Sequence, residues 1–128
     1  MPRPIHFEIH ASDPERVQAF HRTLFGWQFQ AWNGPVEYWV ITTGDAAQPG
    51  INGGMVRRRG PAPAEGQAVN AFVCTVDVAD LDATLRALSD AGGTLALPKM
   101  AVPGVGWLAY VKDPGNLCGL MQADSAAR

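Results

Sequence analysis

Charge, cysteine and long apolar runs are all scarce in this 128-residue sequence, and each shortage removes a class of protein. Only 17% of the residues are charged, and the net charge is −2. That leaves no electrostatic footprint for nucleic acid or an anionic membrane surface. The two cysteines, Cys74 and Cys118, show no CxxC spacing and are too few for a disulfide scaffold. Both stand among apolar residues, so both are expected to behave as small buried hydrophobes. No run approaches the roughly 18 apolar residues of a membrane span, and MPRPIHFEIH lacks the apolar core of a signal peptide. A cytoplasmic protein with no membrane or nucleic-acid partner is expected. GxSxG, P-loop, Rossmann and HExxH motifs are missing too, which removes support for nucleophile-elbow hydrolases, P-loop nucleotide enzymes and gluzincin-type proteases. PGVGW (103–107) is a turn before a strand, not a phosphate loop opening a helix.

What is present suffices for one domain over 1–128: 47% of residues are hydrophobic, enough for a real core. Asp13-Pro14-Glu15 opens a helix with a capping carboxylate, a proline at the first helical position and an acid in the first turn. Val17, Phe20 and Leu24 supply its core-facing stripe, and Gly26 stops it. WQFQAW (27–32), EYWVITTG (37–44) and GINGGMV (50–56) then read as strands. The second half repeats the plan. A strand at 70–77 (NAFVCTVD) precedes a helix at 80–91 and the stop Gly92-Gly93. Strands follow at 94–100, 106–113 and 116–122. The stop glycines 26 and 92 lie half a chain apart, which marks a duplicated unit rather than a solenoid. Module one covers about 4–57, the linker about 58–69 and module two about 70–122, with a frayed tail at 123–128. Within the run Arg57-Arg58-Arg59, a solvated loop is the reading. One helix covers only one face of a four-stranded sheet, so each module leaves a second face to bury or to line a cavity. The expected class is α+β, two βαβββ modules forming a curved open mixed sheet around a cleft with the helices outside.

The first strand, IHFEIH, puts His6, Glu8 and His10 on one face by alternation. Phe7 and Ile9 then face the helix. Three ligands in one straight row, each about 6.6–7 Å from the next, diverge rather than converge. A metal row, a polar pocket wall and histidines held in a structural core are the three readings open here. The same alternation puts Ala71, Val73 and Thr75 on the cleft side of module two, with Leu117, Gly119 and Met121. Phe72, Cys74 and Val76 would pack under the second helix, with Cys118 and Leu120 also turned that way. Trp39 and Trp107 lie on strands where cleft and core both fit, as do Tyr38 and Tyr110.

HFEIHASDPERVQAFHRTLFGW, GINGGM, VNAFVCTVDVADLDATLRALSDAGG and VKDPGNLCGLMQ together resemble the vicinal oxygen chelate superfamily over residues 4–122. This is the glyoxalase, bleomycin-resistance and extradiol-dioxygenase group, and the resemblance is greatest to small glyoxalase-related members of unassigned substrate. It implies paired βαβββ modules around a concave cavity and a homodimer. It also implies a four-ligand metal site, and only His6 keeps a coordinating side chain there. The other three positions fall on Gly53 or Gly54, Ala71 and Gly119. Zn²⁺, Ni²⁺ and Fe²⁺ sites need three or more protein ligands, and Mg²⁺ needs one or two carboxylates. No metal and no other cofactor is therefore expected, with a divalent ion as the minor alternative, and the small residues would enlarge the cavity.

Three functions remain. The leading expectation is binding of a small organic molecule in the inter-module cleft, without a metal. The ligand-facing set would be His6, Glu8, His10, Trp39, Gly53, Gly54, Ala71, Val73, Trp107, Gly119 and Met121. The second is a lyase, isomerase or dioxygenase-like enzyme with His6 and Glu8 as the acid–base pair or with a degenerate metal site. The third is a structural or partner-binding module whose cleft is plugged by its own aromatics.

Overall fold

The computed structural model describes residues 2–128. Module one runs β1 (Phe7–Ala11), α1 (Pro14–Phe25), β2 (Gln28–Ala31), β3 (Trp39–Thr42) and β4 (Gly53–Arg57). Module two runs β5 (Thr75–Asp77), α2 (Leu81–Ala87), β6 (Thr94–Val102), β7 (Gly106–Lys112) and β8 (Leu117–Ala123). The two sheets have the same order, β1-β4-β3-β2 and β5-β8-β7-β6. In each, the first strand pairs parallel with the last and the remaining pairs are antiparallel. This is the α+β duplication of a βαβββ unit.

Local chemistry sets the helix ends where the residue types require. Asp13 accepts from the Arg16 amide at 3.3 Å, and Gly26 closes α1 in the left-handed region at φ 72°. Asp80 accepts from the Ala83 amide at 3.0 Å to open α2. The last turn expected of α2, through residue 91, is a series of tighter turns instead. β6 is an edge strand, which tolerates the missing N–H of Pro98; the pairing with β7 shifts register on both sides of Leu97.

Two cores form, and α1 serves both. Val17 packs with Ala11, Phe29, Ile41 and Met55 of module one. Phe20, one turn along, is fully buried among Leu81, Leu88, Val111 and Leu120 of module two, with Leu24 and Phe25 beside it. The modules of one chain thus meet through their helix sides, across α1. Burying a phenylalanine in this way is worth about 1.5–3 kcal/mol. Arg58, expected in a solvated loop, is a second tie. Its guanidinium donates to the His10 carbonyl, to Ser12 Oγ and to Asn116 Oδ1. Arg57 pairs with Glu37 at 2.9 Å on the surface.

Three sequence expectations are corrected. The strand expected at 70–77 pairs only from Thr75, where β8 first runs alongside it through Gly119. Upstream, residues 70–73 lie outside the ladder, and the Cys74 carbonyl, which accepts from the Gly119 amide at 2.9 Å, is the first tie to β8; Phe72 and Cys74 are exposed rather than packed under α2. Phe72 is as exposed as in an extended peptide, at 104%. The tail does not fray. Ala127 is buried, its carbonyl accepts from the Gly104 amide at 3.0 Å, and Asp124 accepts from the Trp107 indole N–H at 3.1 Å.

Candidate functional site

Alternation decides which residues each sheet turns away from its helix. On β1, Phe7, Ile9 and Ala11 face the core, and Glu8 and His10 face outward, exposed. His6, just before the strand, continues the outward row. On β3, Trp39 and Ile41 pack inward, which leaves Tyr38, Val40 and Thr42 on the open side. On β4, the parallel register sets Gly54 opposite Glu8, and the antiparallel one sets it opposite Val40. Gly54 therefore lies mid-sheet on the open face.

Four polar side chains meet there, in two pairs. His10 Nε2 donates to Glu8 Oε1 at 2.6 Å, and His6 Nε2 lies 2.9 Å from the Tyr38 hydroxyl. The expected acid–base partners His6 and Glu8 are thus each bonded to another residue. Partial burial, and then the nearby Glu8 carboxylate, hold the Tyr38 phenol above its ordinary pKa, so it is neutral at pH 7. Tyr38 crosses the sheet diagonally to reach His6, and it does so over Gly54. A Cβ added at Gly54 would fall onto the Tyr38 hydroxyl.

Module two has a parallel arrangement with apolar walls. Cys118 and Leu120 turn inward, and Leu117, Gly119 and Met121 turn outward. Gly119 lies between Thr75 on β5 and Tyr110 on β7. An added Cβ there would stand 2.8 Å from the Thr75 hydroxyl and 3.3 Å from the Tyr110 ring. Leu108, paired with Met100 and Met121, and Leu97, paired with Tyr110, extend this face. Leu97 and Met100 are exposed.

The structure divides the expected site residues. His6, Glu8, His10 and Gly54 share the open face of module one, and Gly119 and Met121 share that of module two. Trp39 belongs to the other side, because its alternation partner Ile41 is a core residue. Trp107 also packs on the helix side, fixed by Asp124 and covered by the Lys99 ammonium at 4.8 Å from the ring centre. Gly53 faces Phe7 rather than the open side. Ala71 and Val73 lie exposed in the segment before β5, outside either sheet. The glycines do not leave the extra room expected of them, since Tyr38 and Tyr110 lie against them. The two open faces of one chain do not close on each other, because the modules join through the opposite sides. A groove of about 900 Å³ does open on the joined side, between Phe7 and Trp27 of module one and Val76 and Val78 of module two. None of the expected site residues lines it.

Among the described residues no three His, Cys, Asp or Glu side chains are grouped to hold a metal ion. His6 is bonded to a phenol, and the neighbouring Gly54 has no side chain.

Sequence reasoning also passed over a buried pair between the modules. His21 of α1 is 3% exposed, donates through Nδ1 to the Val17 carbonyl at 2.9 Å and stacks on Trp27. Its Nε2 stands 3.6 Å from Asp113 Oδ2, beyond hydrogen-bond reach. Burial pulls the His21 pKa down to about 4. Burial also pushes Asp113 up to about 6, against the Asn116 N–H bonds that favour its charged form. The signal was available: His21 lies four residues after Val17, on the helix stripe that faces the core.

Residues 3–44 match the family described as bleomycin resistance protein-like N-terminal. No curated protein matches the chain by sequence. Solved structures match over nearly its whole length. A glyoxalase-related enzyme from Fulvimarina pelagi is 19% identical with a TM-score of 0.67, covering 100% of this chain and 98% of its own. TnmS3, an antibiotic binding protein from Streptomyces sp. CB03234, is 19% identical with a TM-score of 0.67, covering 97% and 98%. A glyoxylase/bleomycin resistance protein/dioxygenase domain from Frankia sp. EAN1pec is 15% identical with a TM-score of 0.72, covering 97% and 99%. The chain therefore has the fold of the glyoxalase, bleomycin-resistance and dioxygenase proteins, and its residues 3–44 are similar to the bleomycin resistance protein-like N-terminal family.

Proposed function

We propose that this protein binds a small organic molecule, without a metal, in a cleft made by two copies of the chain. The observation that carries the reading is the pair of outward faces. Module one offers a polar face bearing His6, Glu8, His10 and Tyr38, and module two offers an apolar one bearing Leu97, Leu108, Tyr110 and Met121. Neither is covered within one chain. Against each other in a homodimer, they would enclose a pocket that is apolar on one wall and hydrogen-bonding on the other, as ligand sites commonly are. The segment 70–73, outside the ladder, with Phe72 fully exposed and Val73 partly so, is the strand edge such a partner would cover. TnmS3, with the same fold, is an antibiotic binding protein, which supports sequestration as the kind of activity. Among the described residues no helix is long and apolar enough to cross a membrane. Two free cysteines suit the cytoplasm.

Sedimentation velocity tests the assembly: a dimer is expected, and Phe72→Glu should shift it towards monomer. A thermal-shift screen of aromatic and heteroaromatic compounds tests binding. A monomeric wild-type protein, or a screen without stabilisers, would remove the reading. Acid–base catalysis is the second reading, favoured by the 2.6 Å Glu8–His10 contact. Turnover that survives Glu8→Gln would rule it out.

A further inference from the structure

The open face of module one contains one feature that small-molecule binding by itself does not require. The row Glu8–Gly54–Val40 runs across β1, β4 and β3, and its middle member alone has no side chain. Tyr38 fills that gap from a neighbouring row, and its hydroxyl ends beside His6. In module two the ring of Tyr110 lies against Gly119 on the corresponding last strand. Each sheet thus sets a tyrosine against a glycine of its last strand on the open side, Tyr110 from the paired strand β7 and Tyr38 from just before β3.

We infer that Tyr38 sets what this face can bind: laid across Gly54 and bonded to His6, its hydroxyl takes the place from which a second ligating side chain would rise. The face then presents a hydrogen-bonding pair to a neutral organic group, and His6 has no second ligating side chain beside it at position 54. Gly54 is the residue that permits this, since any side chain there would displace the phenol. Tyr38 also suits the task chemically. A phenol is both donor and acceptor, and burial together with the Glu8 carboxylate keeps its proton on. No Lys or Arg side chain enters the His6–Tyr38 or Glu8–His10 pair, so the pairs supply no fixed positive charge to hold an anion. The inference rests on the open face being the binding face, as proposed above.

Three histidines give three sets of ring signals in a ¹⁵N-labelled sample, and the buried His21 serves as internal reference. In Tyr38→Phe the His6 ring nitrogen resonances should move while those of His21 stay. Equimolar Ni²⁺, the probe for ion binding, should leave the His6 signals of the wild type sharp. In the double variant Tyr38→Ala, Gly54→His, which removes the phenol and restores a ligating side chain, equimolar Ni²⁺ should broaden His6 beyond detection. The inference is overturned if His6 is unmoved in Tyr38→Phe, or if Ni²⁺ broadens it in the wild type. It is also overturned if the double variant stays sharp, because Tyr38 would then not be what bars the ion. None of these readouts depends on dimer formation or on the compound screen, so failure of the broader reading would be seen separately.

Discussion

The buried pair between the modules makes a pH prediction that can be worked through. Asp113 titrates at about 6 in the folded chain instead of 3.8. At 1.36 kcal/mol for each pKa unit, that is about 3 kcal/mol. A raised carboxylate pKa means the native state prefers the protonated form. Its contribution to stability is thus fully present below pH 3.8 and is lost as pH rises through about 6. His21 is displaced the other way, from 6.5 to about 4. Its contribution, also about 3 kcal/mol, is present above pH 6.5 and is lost as pH falls through about 4. The two slopes cross the same window with opposite sign and nearly cancel. At pH 5 the native pair holds its proton on Asp113, whereas the unfolded chain holds one on His21. Asp113→Asn keeps an acceptor for the Asn116 amide while removing one titration. Urea unfolding, followed by tryptophan fluorescence at fixed protein concentration, measures the effect. Relative to wild type, the variant should gain about 3 kcal/mol between pH 4 and pH 7. Parallel stability profiles for the two proteins would refute the argument, because every other titrating group is common to both.

Two further outcomes follow from burial. Phe20→Ala should cost about 3–5 kcal/mol in the same unfolding assay, although Phe20 lies in the first module, because its ring is fully buried in the core of the second. A loss under 1 kcal/mol would mean that α1 does not join the modules in this way. Iodoacetamide under native conditions should label Cys74, which is exposed, and spare Cys118. Burial pushes the Cys118 thiol up to about 12 and keeps it protonated. Mass spectrometry of the digested protein decides between the two, and equal labelling would contradict the placement of β8.

The elements that could be read from the chain are those whose causes are local. Asp13, Pro14 and Gly26 define α1 without reference to anything distant, and β1 reveals its faces because Phe7 and Ile9 alternate with His6, Glu8 and His10. What could not be read depends on partners remote in sequence. Residues 70–74 look like the start of a strand, with Phe72 as a core residue, but the parallel neighbour β8 begins its pairing only at Thr75. Phe20 looks like any member of the α1 stripe. That it belongs to the second module, and that the modules join by their helix sides, follows from packing between Leu81, Val111 and Leu120, all more than 60 residues away.

The site shows the same division more sharply. The small residues at positions 54 and 119 were legible in the sequence. The inference that small residues mean empty space was not sound, because a glycine in a sheet is a place that a neighbouring aromatic can cover. Trp39 and Tyr38 illustrate the point. They are adjacent and both aromatic, so composition cannot say which one faces the open side. The alternation Trp39–Ile41 against Val40–Thr42 assigns Trp39 to the core, and Tyr38 is left to turn the other way. Only the three-dimensional register then shows that the gap at Gly54 lies within reach of its hydroxyl, with His6 at the far end. A phenol occupying that gap gives the retained histidine a hydrogen-bonding partner 2.9 Å away, and it is this pair, rather than His6 alone, that the open face presents.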